Sequence, residues 1–201
     1  MVVRFGAVLL AGGRASRMGG IDKPGLLVDG VSMRDRAIDA VVAVGASPVI
    51  VVGPEPAASR ASHDAVRWMR EDPPFSGPAA AVVTALGAPG ADATAWTILL
   101  ACDLPHPDLA VARLLAGIPH LAPESDGACL VDGTGRAQWL TGVYRTPALV
   151  SAASALPDGG RDRPVRALLA GLPVELLADP GAAARDVDTW EDYEQLTKEL
   201  P

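Results

Sequence analysis

A short apolar segment that ends in a glycine-rich, basic loop is the feature that most constrains how this chain can fold. Residues 5–10 form an apolar run without alternation, which predicts a strand buried on both faces, and Gly12 and Gly13 end it. The chain from Gly12 to Lys23 holds four glycines, two arginines and one lysine. Such a loop can turn successive backbone N–H groups towards one point that its cations also face. The sequence therefore predicts an anion site, for phosphates, where the chain leaves a sheet.

Two familiar phosphate-binding motifs are absent from this loop. The Walker motif ends in Gly-Lys-Ser/Thr, whereas Lys23 lies between Asp22 and Pro24. The dinucleotide fingerprint requires Gly-x-Gly-x-x-Gly, and the loop contains no Gly-x-Gly. The predicted phosphate site must therefore belong to another class of nucleotide-binding protein.

The composition favours one layered α/β domain covering residues 1–201. Hydrophobic residues make up 49% of the 201 residues but aromatic residues only 4%, so Ala, Val and Leu must build the core. A net charge of −7 argues against nucleic acid as a partner, because duplex binding relies on clustered Lys and Arg. A small phosphate ligand needs only local cations.

The two cysteines and the apolar segments favour a cytoplasmic protein without membrane contact. Cys102 and Cys129 are too few and too far apart for a disulfide scaffold or a Cys-x-x-Cys metal site, so we expect buried, reduced thiols. The first apolar run is too short to span a membrane, and no cleavage pattern of a signal peptide follows it.

Apolar periodicity predicts alternating strands and helices along the whole chain. In the helix at 32–44, Ser32 is the expected cap and Arg34 and Asp35 the expected solvent side. A hairpin over 127–144 would make a mainly parallel sheet mixed, which gives a three-layer α/β/α fold. The predicted strands are 5–10, 26–28, 49–52, 66–69, 94–101, 127–132, 138–144 and 174–177, and the helices are 32–44, 79–86, 107–116, 146–156, 164–170 and one beginning near 189.

Asp103 is the candidate metal ligand. It follows the predicted strand 94–101, a nearly continuous apolar run, after Cys102, and ligands of open α/β sheets lie beyond the carboxyl ends of the strands. A carboxylate there can coordinate Mg²⁺ that also contacts phosphate oxygens. The alternative is that Asp103 only satisfies the turn that follows it.

Asp186 and Asp188 form a second acidic pair near the C-terminus. Their alternate spacing places both on one side of an extended segment, where Asp188 could complete a metal site or bind a second substrate. The alternative is that Asp188 or Thr189 only caps the last helix, whose first turn holds Glu191.

Four motifs resemble those of a known enzyme superfamily. Leu-Ala-Gly-Gly at 10–13, Arg-Met-Gly at 17–19, Asp-Lys-Pro at 22–24 and Cys-Asp-Leu-Pro at 102–105 are similar to the nucleotidyltransferases that build nucleotide sugars and pterin dinucleotides. Within that superfamily the chain looks most like the molybdenum cofactor guanylyltransferase, or MobA, family. The resemblance implies a Rossmann-like nucleotidyltransferase fold and Mg²⁺-dependent transfer of GMP from GTP to molybdopterin. It also implies transient contact with molybdenum cofactor insertion proteins.

The resemblance assigns roles to individual positions. Arg17 would bind the β- and γ-phosphates through its planar fork, Lys23 would lie near the α-phosphate, and both would act in catalysis with Asp103. Asp103 and Asp188 would bind the metal. The implied nucleotide-binding residues are Leu10, Ala11, Gly12, Gly13, Arg17, Lys23, Asp72, Gly77, Pro78 and Asp103, and the implied acceptor-binding residues are Gln138, Arg161, Asp186 and Asp188.

Several positions depart from the family pattern. Ala81 replaces the last Gly of the Gly-Pro-Leu-Ala-Gly segment that faces the base, Trp139 replaces Pro in the Gln-Pro-Leu strand, and Asp186 and Asp188 stand where asparagines are common. Asp72 would bind the base or only cap the turn at Pro73. These departures leave two alternatives open: a cytidylyltransferase or other small-phosphate nucleotidyltransferase, and a nucleotide-binding module without catalysis.

Overall fold

One mixed sheet organises the protein. The structure is a computed structural model that describes residues 3–13, 21–56, 65–179, 187 and 189–199. Within these residues the strands are β1 (Phe5–Leu10), β2 (Leu27–Val28), β3 (Val31–Ser32), β4 (Val49–Val52), β5 (Val66–Met69), β6 (Trp96–Ala101), β7 (Gly127–Val131), β8 (Ala137–Arg145) and β9 (Val174–Ala178).

Seven of these strands form the main sheet, in the order β5-β4-β1-β6-β8-β7-β9. The pairs β5–β4, β4–β1, β1–β6 and β7–β9 are parallel, whereas β8 is antiparallel to both of its neighbours. The predicted hairpin between β7 and β8 is therefore confirmed, and with it the prediction of a mixed, mostly parallel sheet.

Helices cover both faces of this sheet. In the described residues they are α1 (Met33–Ala43), α2 (Pro78–Leu86), α3 (Pro107–Gly117), α4 (Thr146–Ala155), α5 (Val165–Leu169) and α6 (Trp190–Glu199). Residues of α1 and α3 pack into one core on the first face, and residues of α2, α4 and α5 pack into a second core on the other face. The predicted three-layer α/β/α architecture is confirmed.

Strand β1 is apolar at nearly every position because helices cover both faces of the sheet. Leu9 packs in the first core and Val8 in the second, and both side chains are almost completely buried. Successive residues of a strand point to opposite faces, so a strand covered on both sides must be apolar at every position.

The first turn of α1 differs from its prediction. Ser32 caps the helix, accepting a hydrogen bond from the Asp35 backbone N–H at 3.0 Å, as expected. Arg34 and Asp35, however, are buried, with only 5% and 6% of their surfaces exposed. The prediction that they face solvent is wrong because this turn packs against β3 and against a 3₁₀ turn at Lys23–Gly25.

A small hairpin and the last helix form a third cluster. β2 pairs antiparallel with β3, a partner that the sequence did not predict, across Asp29 and Gly30, which both have positive φ. α6 packs on this hairpin, and the Tyr193 hydroxyl donates to the Leu27 carbonyl at 2.7 Å. Thr189 caps α6, since its hydroxyl accepts from the Asp192 N–H at 3.1 Å.

Two further expectations concern the cysteines and the membrane. Cys102 and Cys129 are free and buried, as predicted. No helix in the part of the chain that the structure describes is long and apolar enough to cross a membrane.

Replacing Gly53 with Ala should destabilise the edge of the sheet where β1 and β4 end. A Cβ at Gly53 would lie 2.8 Å from the backbone carbonyl carbon and oxygen of Ala11, which cannot rotate away. We expect Gly53→Ala to lower the free energy of unfolding by about 1–3 kcal/mol in urea titrations. Gly133→Ala is the matched control, since no atom lies within 4 Å of a Cβ there. Equal stability of the two variants would contradict this account.

Candidate active site

Three strands bring chain segments to the carboxyl edge of the sheet. β1 and β6 pair in parallel, so the residues that follow Leu10 and Ala101 emerge side by side. β8 runs the opposite way, with Thr141 opposite Leu100, so its first residues, including Gln138, lie at the same edge. This edge is where open α/β sheets bind their ligands.

Lys23 and Asp103 meet at this edge. The Lys23 Nζ lies 2.7 Å from Asp103 Oδ2, and the side chains are 12% and 24% exposed. The two residues are 80 positions apart in the chain, so the sheet brings them together. The structure thus juxtaposes the cation and the carboxylate that the sequence assigned to phosphate and metal.

The other oxygen of Asp103 has the properties of a metal ligand. Oδ1 is buried and has no hydrogen-bond partner. A buried carboxylate oxygen without a donor is costly unless a cation satisfies it, so the site fits a divalent metal. Among the described residues, no group of three His, Cys, Asp or Glu side chains forms a complete metal site.

The neighbouring thiol is a packing group rather than a ligand. Cys102 is buried, and this burial raises the pKa of its thiol far above the ordinary value. The negative charge of Asp103 raises the same pKa further, while the Arg34 guanidinium lowers it. Metal binding requires a thiolate, which this environment disfavours.

A 3₁₀ turn presents Lys23. It spans Lys23–Gly25, with Pro24 in its first positions, where the absence of an N–H costs nothing. The Gly25 N–H donates to the Asp22 carbonyl at 2.9 Å, and the Leu26 N–H donates to the Lys23 carbonyl at 3.1 Å. The Asp22 carboxylate lies over Gly25, so a Cβ there would displace it.

The C-terminal segment also reaches Asp103. The backbone N–H of Val187 donates to the Asp103 carbonyl at 3.1 Å, and the Val187 side chain is buried. Its sequence neighbours Asp186 and Asp188, like Arg17 in the first loop, lie outside the described residues. Their predicted roles therefore stay predictions.

The described part of the glycine-rich loop divides into a buried and an exposed half. Leu10 and Ala11 are buried, and the Ala11 N–H donates to the Val52 carbonyl at 2.9 Å, so only their main chain could face a ligand. Gly12 and Gly13 are exposed at the edge of the sheet. They can offer backbone N–H groups to an anion.

The segment before α2 forms a second part of the edge. Gly77 has a φ of 96°, a conformation that favours glycine, and Pro78 begins α2. Asp72, Pro78 and Phe75 are exposed. Ala81 is only 6% exposed and packs in the second core, so its methyl group is not on the exposed surface of this edge.

Arg161 lies in a loop that packs against this segment. The Asp162 N–H donates to the Ser76 carbonyl at 2.7 Å, and the Ala79 N–H donates to the Arg163 carbonyl at 3.3 Å. Arg161 lines an open pocket of about 580 Å³ together with Asp158 and Asp162. The loop that contains Arg161 therefore lies against the segment at Gly77.

Gln138 is held by the hairpin between β7 and β8. Its amide nitrogen donates to Asp132 Oδ2 at 2.6 Å, which leaves the amide oxygen and the second N–H for a ligand. Asp132 also accepts from the Thr134 hydroxyl at 2.6 Å and from the Arg136 N–H at 3.0 Å.

These hydrogen bonds, that of Thr134 above all, lower the pKa of Asp132 to about 2. A lowered pKa means that the charged carboxylate stabilises the folded hairpin above the ordinary Asp pKa. This stabilisation is lost as the pH falls towards 2.

Sequence reasoning missed two residues that shape the site. Arg34 was expected in solvent, and helical periodicity gives no signal that a loop covers the first turn of a helix. Asp132 precedes Gly-Thr-Gly, and this turn chemistry could have indicated a side chain that binds its own loop.

Comparison with known proteins places this geometry in a family. The MobA-like NTP transferase domain matches residues 7–180. A protein of Shewanella amazonensis named "Molybdenum cofactor guanylyltransferase" is 31% identical, covering 100% of this chain and 99% of its own. One from Synechococcus elongatus named "Probable molybdenum cofactor guanylyltransferase" is 35% identical over 80% of this chain and 81% of its own.

Solved structures share the fold. Molybdopterin-guanine dinucleotide biosynthesis protein A from Archaeoglobus fulgidus superposes with a TM-score of 0.66 at 15% identity, covering 96% of both chains. Rv0371c from Mycobacterium tuberculosis, solved in complex with manganese, gives a TM-score of 0.65 at 19% identity over 99% of this chain and 100% of its own. The strand-end lysine–aspartate pair, the three-layer fold and the match over residues 7–180 lead to one conclusion: this chain belongs to the MobA-like NTP transferase family of nucleotidyltransferases.

Proposed function

We propose that this chain transfers GMP from GTP to molybdopterin, forming the guanine dinucleotide of the molybdenum cofactor and releasing pyrophosphate. The observation that carries the proposal is the Lys23–Asp103 pair at the carboxyl end of β6. The names of the relatives support the choice of nucleotide and acceptor. Residues 1–201 would act as one domain, in the cytoplasm, where the buried thiols would stay reduced.

The nucleotide would lie along the edge between the glycine-rich loop and the start of α2. Gly12 and Gly13 would donate backbone N–H groups to the phosphates, with Arg17 on the β- and γ-phosphates and Lys23 near the α-phosphate. Leu10 and Ala11 would contribute their main chain, because their side chains are buried. The base would face Gly77, Pro78 and Asp72.

Mg²⁺ would be held by Oδ1 of Asp103, with Asp188 as a further ligand. The metal supplies positive charge that stabilises the pyrophosphate leaving group. Lys23 binds the second oxygen of Asp103 at 2.7 Å, so its ammonium group would be near the phosphates that this metal contacts. Both charges would act on the group that gains negative charge in the transition state.

The reaction would need no protein nucleophile. A phosphate oxygen of molybdopterin attacks the α-phosphorus of GTP, and the bond from this phosphorus to the oxygen that bridges to the β-phosphate breaks. The acceptor oxygen is already an anion, so no proton has to be removed. Catalysis would come from alignment and from stabilisation of charge by Lys23 and Arg17.

The acceptor would occupy the side of the edge formed by β8 and the C-terminal segment. Gln138 would accept a hydrogen bond from the pterin, and Asp186 and Asp188 would lie near it. The loop that contains Arg161 packs against Gly77 through Asp162 and Arg163, so a phosphate bound by Arg161 would be near the nucleotide. Transfer of the product to an insertion protein would follow by transient contact.

The first test concerns Lys23. We expect Lys23→Met to lower turnover about a hundredfold to a thousandfold, because one preorganised charge is lost from the transition state. Pyrophosphate release and thermal unfolding are measured in parallel, and turnover should fall far more than stability, although the partly buried Asp103 carboxylate loses its partner. Lys198→Met is the control, since Lys198 is 76% exposed on α6. Unchanged turnover would remove Lys23 from the mechanism.

The second test concerns the nucleotide and the metal. Calorimetry with GTP, CTP, ATP and UTP should show a preference for GTP that increases with Mg²⁺ in the wild type. In Asp103→Asn the Mg²⁺ effect should disappear, whereas in Asp108→Asn, a change on the exposed start of α3, it should remain. A preference for CTP would indicate the cytidylyltransferase alternative, and binding without pyrophosphate release would indicate a non-catalytic module.

The third test concerns the acceptor. Gln138→Ala should raise the KM for molybdopterin about three- to tenfold, because one hydrogen bond to the acceptor is lost. The KM for GTP should not change. Steady-state kinetics with each substrate varied in turn separates the two constants. An equal rise in both constants would show that Gln138 supports the fold of the edge and not the acceptor.

A further inference from the structure

Arg34 is a buried charge that the proposed reaction does not use. It lies in the first turn of α1 and is 5% exposed. Its Nη1 donates to Asp22 Oδ2 at 3.1 Å, and its Cζ lies 5.9 Å from the ring centroid of Trp68. Its Nε is buried without a hydrogen-bond partner.

Stability alone does not explain an arginine at this position. Burial of a guanidinium is costly unless all of its donors are satisfied, and one donor here is not. Its carboxylate partner, Asp22, is 55% exposed, so water weakens the electrostatic attraction between the two side chains. An apolar side chain of similar length would fill the same space without these costs.

The carboxylate that Arg34 binds belongs to the turn that carries Lys23. Asp22 directly precedes Lys23, and its carboxylate lies over Gly25, where a Cβ would collide with it. Arg34 therefore ties the start of the turn to helix α1, which packs against the first core of the sheet. The backbone of Lys23 is fixed from one side by this ion pair and from the other by the bond to the Leu26 N–H.

We propose that Arg34 is a positioning residue that, through Asp22, fixes the turn so that Lys23 faces the triphosphate. The inference rests on the proposed function, in which Lys23 binds phosphate. A lysine on a turn that is already ordered loses less freedom when it binds a ligand, so the affinity for the nucleotide rises. Arg34 itself does not contact the nucleotide.

The experiment is a double-mutant cycle between Arg34 and Lys23, read as the Kd of GTP in calorimetry with Mg²⁺. Arg34→Met should weaken GTP binding about fivefold in the wild-type background and leave it unchanged in the Lys23→Met background, because Arg34 acts only through Lys23. The midpoint of thermal unfolding of Arg34→Met should stay equal or rise, because a buried charge is replaced by an apolar side chain.

Two further variants control the cycle. Asp22→Ala breaks the same ion pair from its exposed end, so it should reproduce the loss of affinity even where Arg34→Met fails to fold. Arg36→Met removes an arginine of the same helix that binds the Val28 carbonyl and Asp29 instead, and it should leave the Kd unchanged.

The outcomes separate this inference from the proposed function. If Arg34→Met weakens GTP binding equally in the wild-type and Lys23→Met backgrounds, or does not weaken it in the wild type, the role of Arg34 is overturned. The proposed function would stay intact. A wild-type protein that binds none of the four nucleoside triphosphates would overturn both.

Discussion

The ion pair between Lys23 and Asp103 is the interaction on which the proposed chemistry depends. Asp103 lies just beyond the end of β6, and Lys23 lies in the segment that follows β1. The two side chains meet because β1 and β6 pair in parallel and end at the same edge of the sheet. Partial burial strengthens the attraction relative to water. Of the two Asp103 carboxylate oxygens, Lys23 binds Oδ2, and Oδ1 has no hydrogen-bond partner, so Asp103 can bind the lysine and a metal ion at the same time.

The sheet fixes the positions of the strand ends, and the segments beyond them carry most of the polar side chains of the site. Two separate cores hold the strands from both faces, so the positions of the strand ends are set by packing. Lys23, Asp103 and Arg161 lie outside the strands of the sheet, in segments whose sequence can change without loss of the core.

Much of the fold could be predicted because local signals and packing agree. The strands at Phe5–Leu10 and Val49–Val52 have the predicted limits, since an apolar run covered on both faces has few alternatives. The edge strand Val66–Met69 also has its predicted limits, although Arg67 is exposed. The pairing of Lys23 with Asp103 could be anticipated only from the family motifs. Burial of Arg34 could not be predicted, because it depends on a loop that folds back over the helix. Such a contact produces no periodic pattern of apolar residues in the sequence.

One departure from the family pattern, Trp139 in place of proline, lies in β8, and the structure shows how the backbone accommodates it. Pairing between β7 and β8 shifts after Cys129, so residues 139–141 of β8 leave the β7 ladder as a bulge. Tyr144 fixes this bulge: its buried hydroxyl donates to the Trp139 carbonyl at 2.8 Å, and its ring lies where a Cβ of Gly142 would be. The backbone at Trp139 is thus held by a residue from the core and does not depend on a proline. In the proposed function, the side chain at this position could therefore change with the acceptor while Lys23 and Asp103 stay in place for the nucleotide.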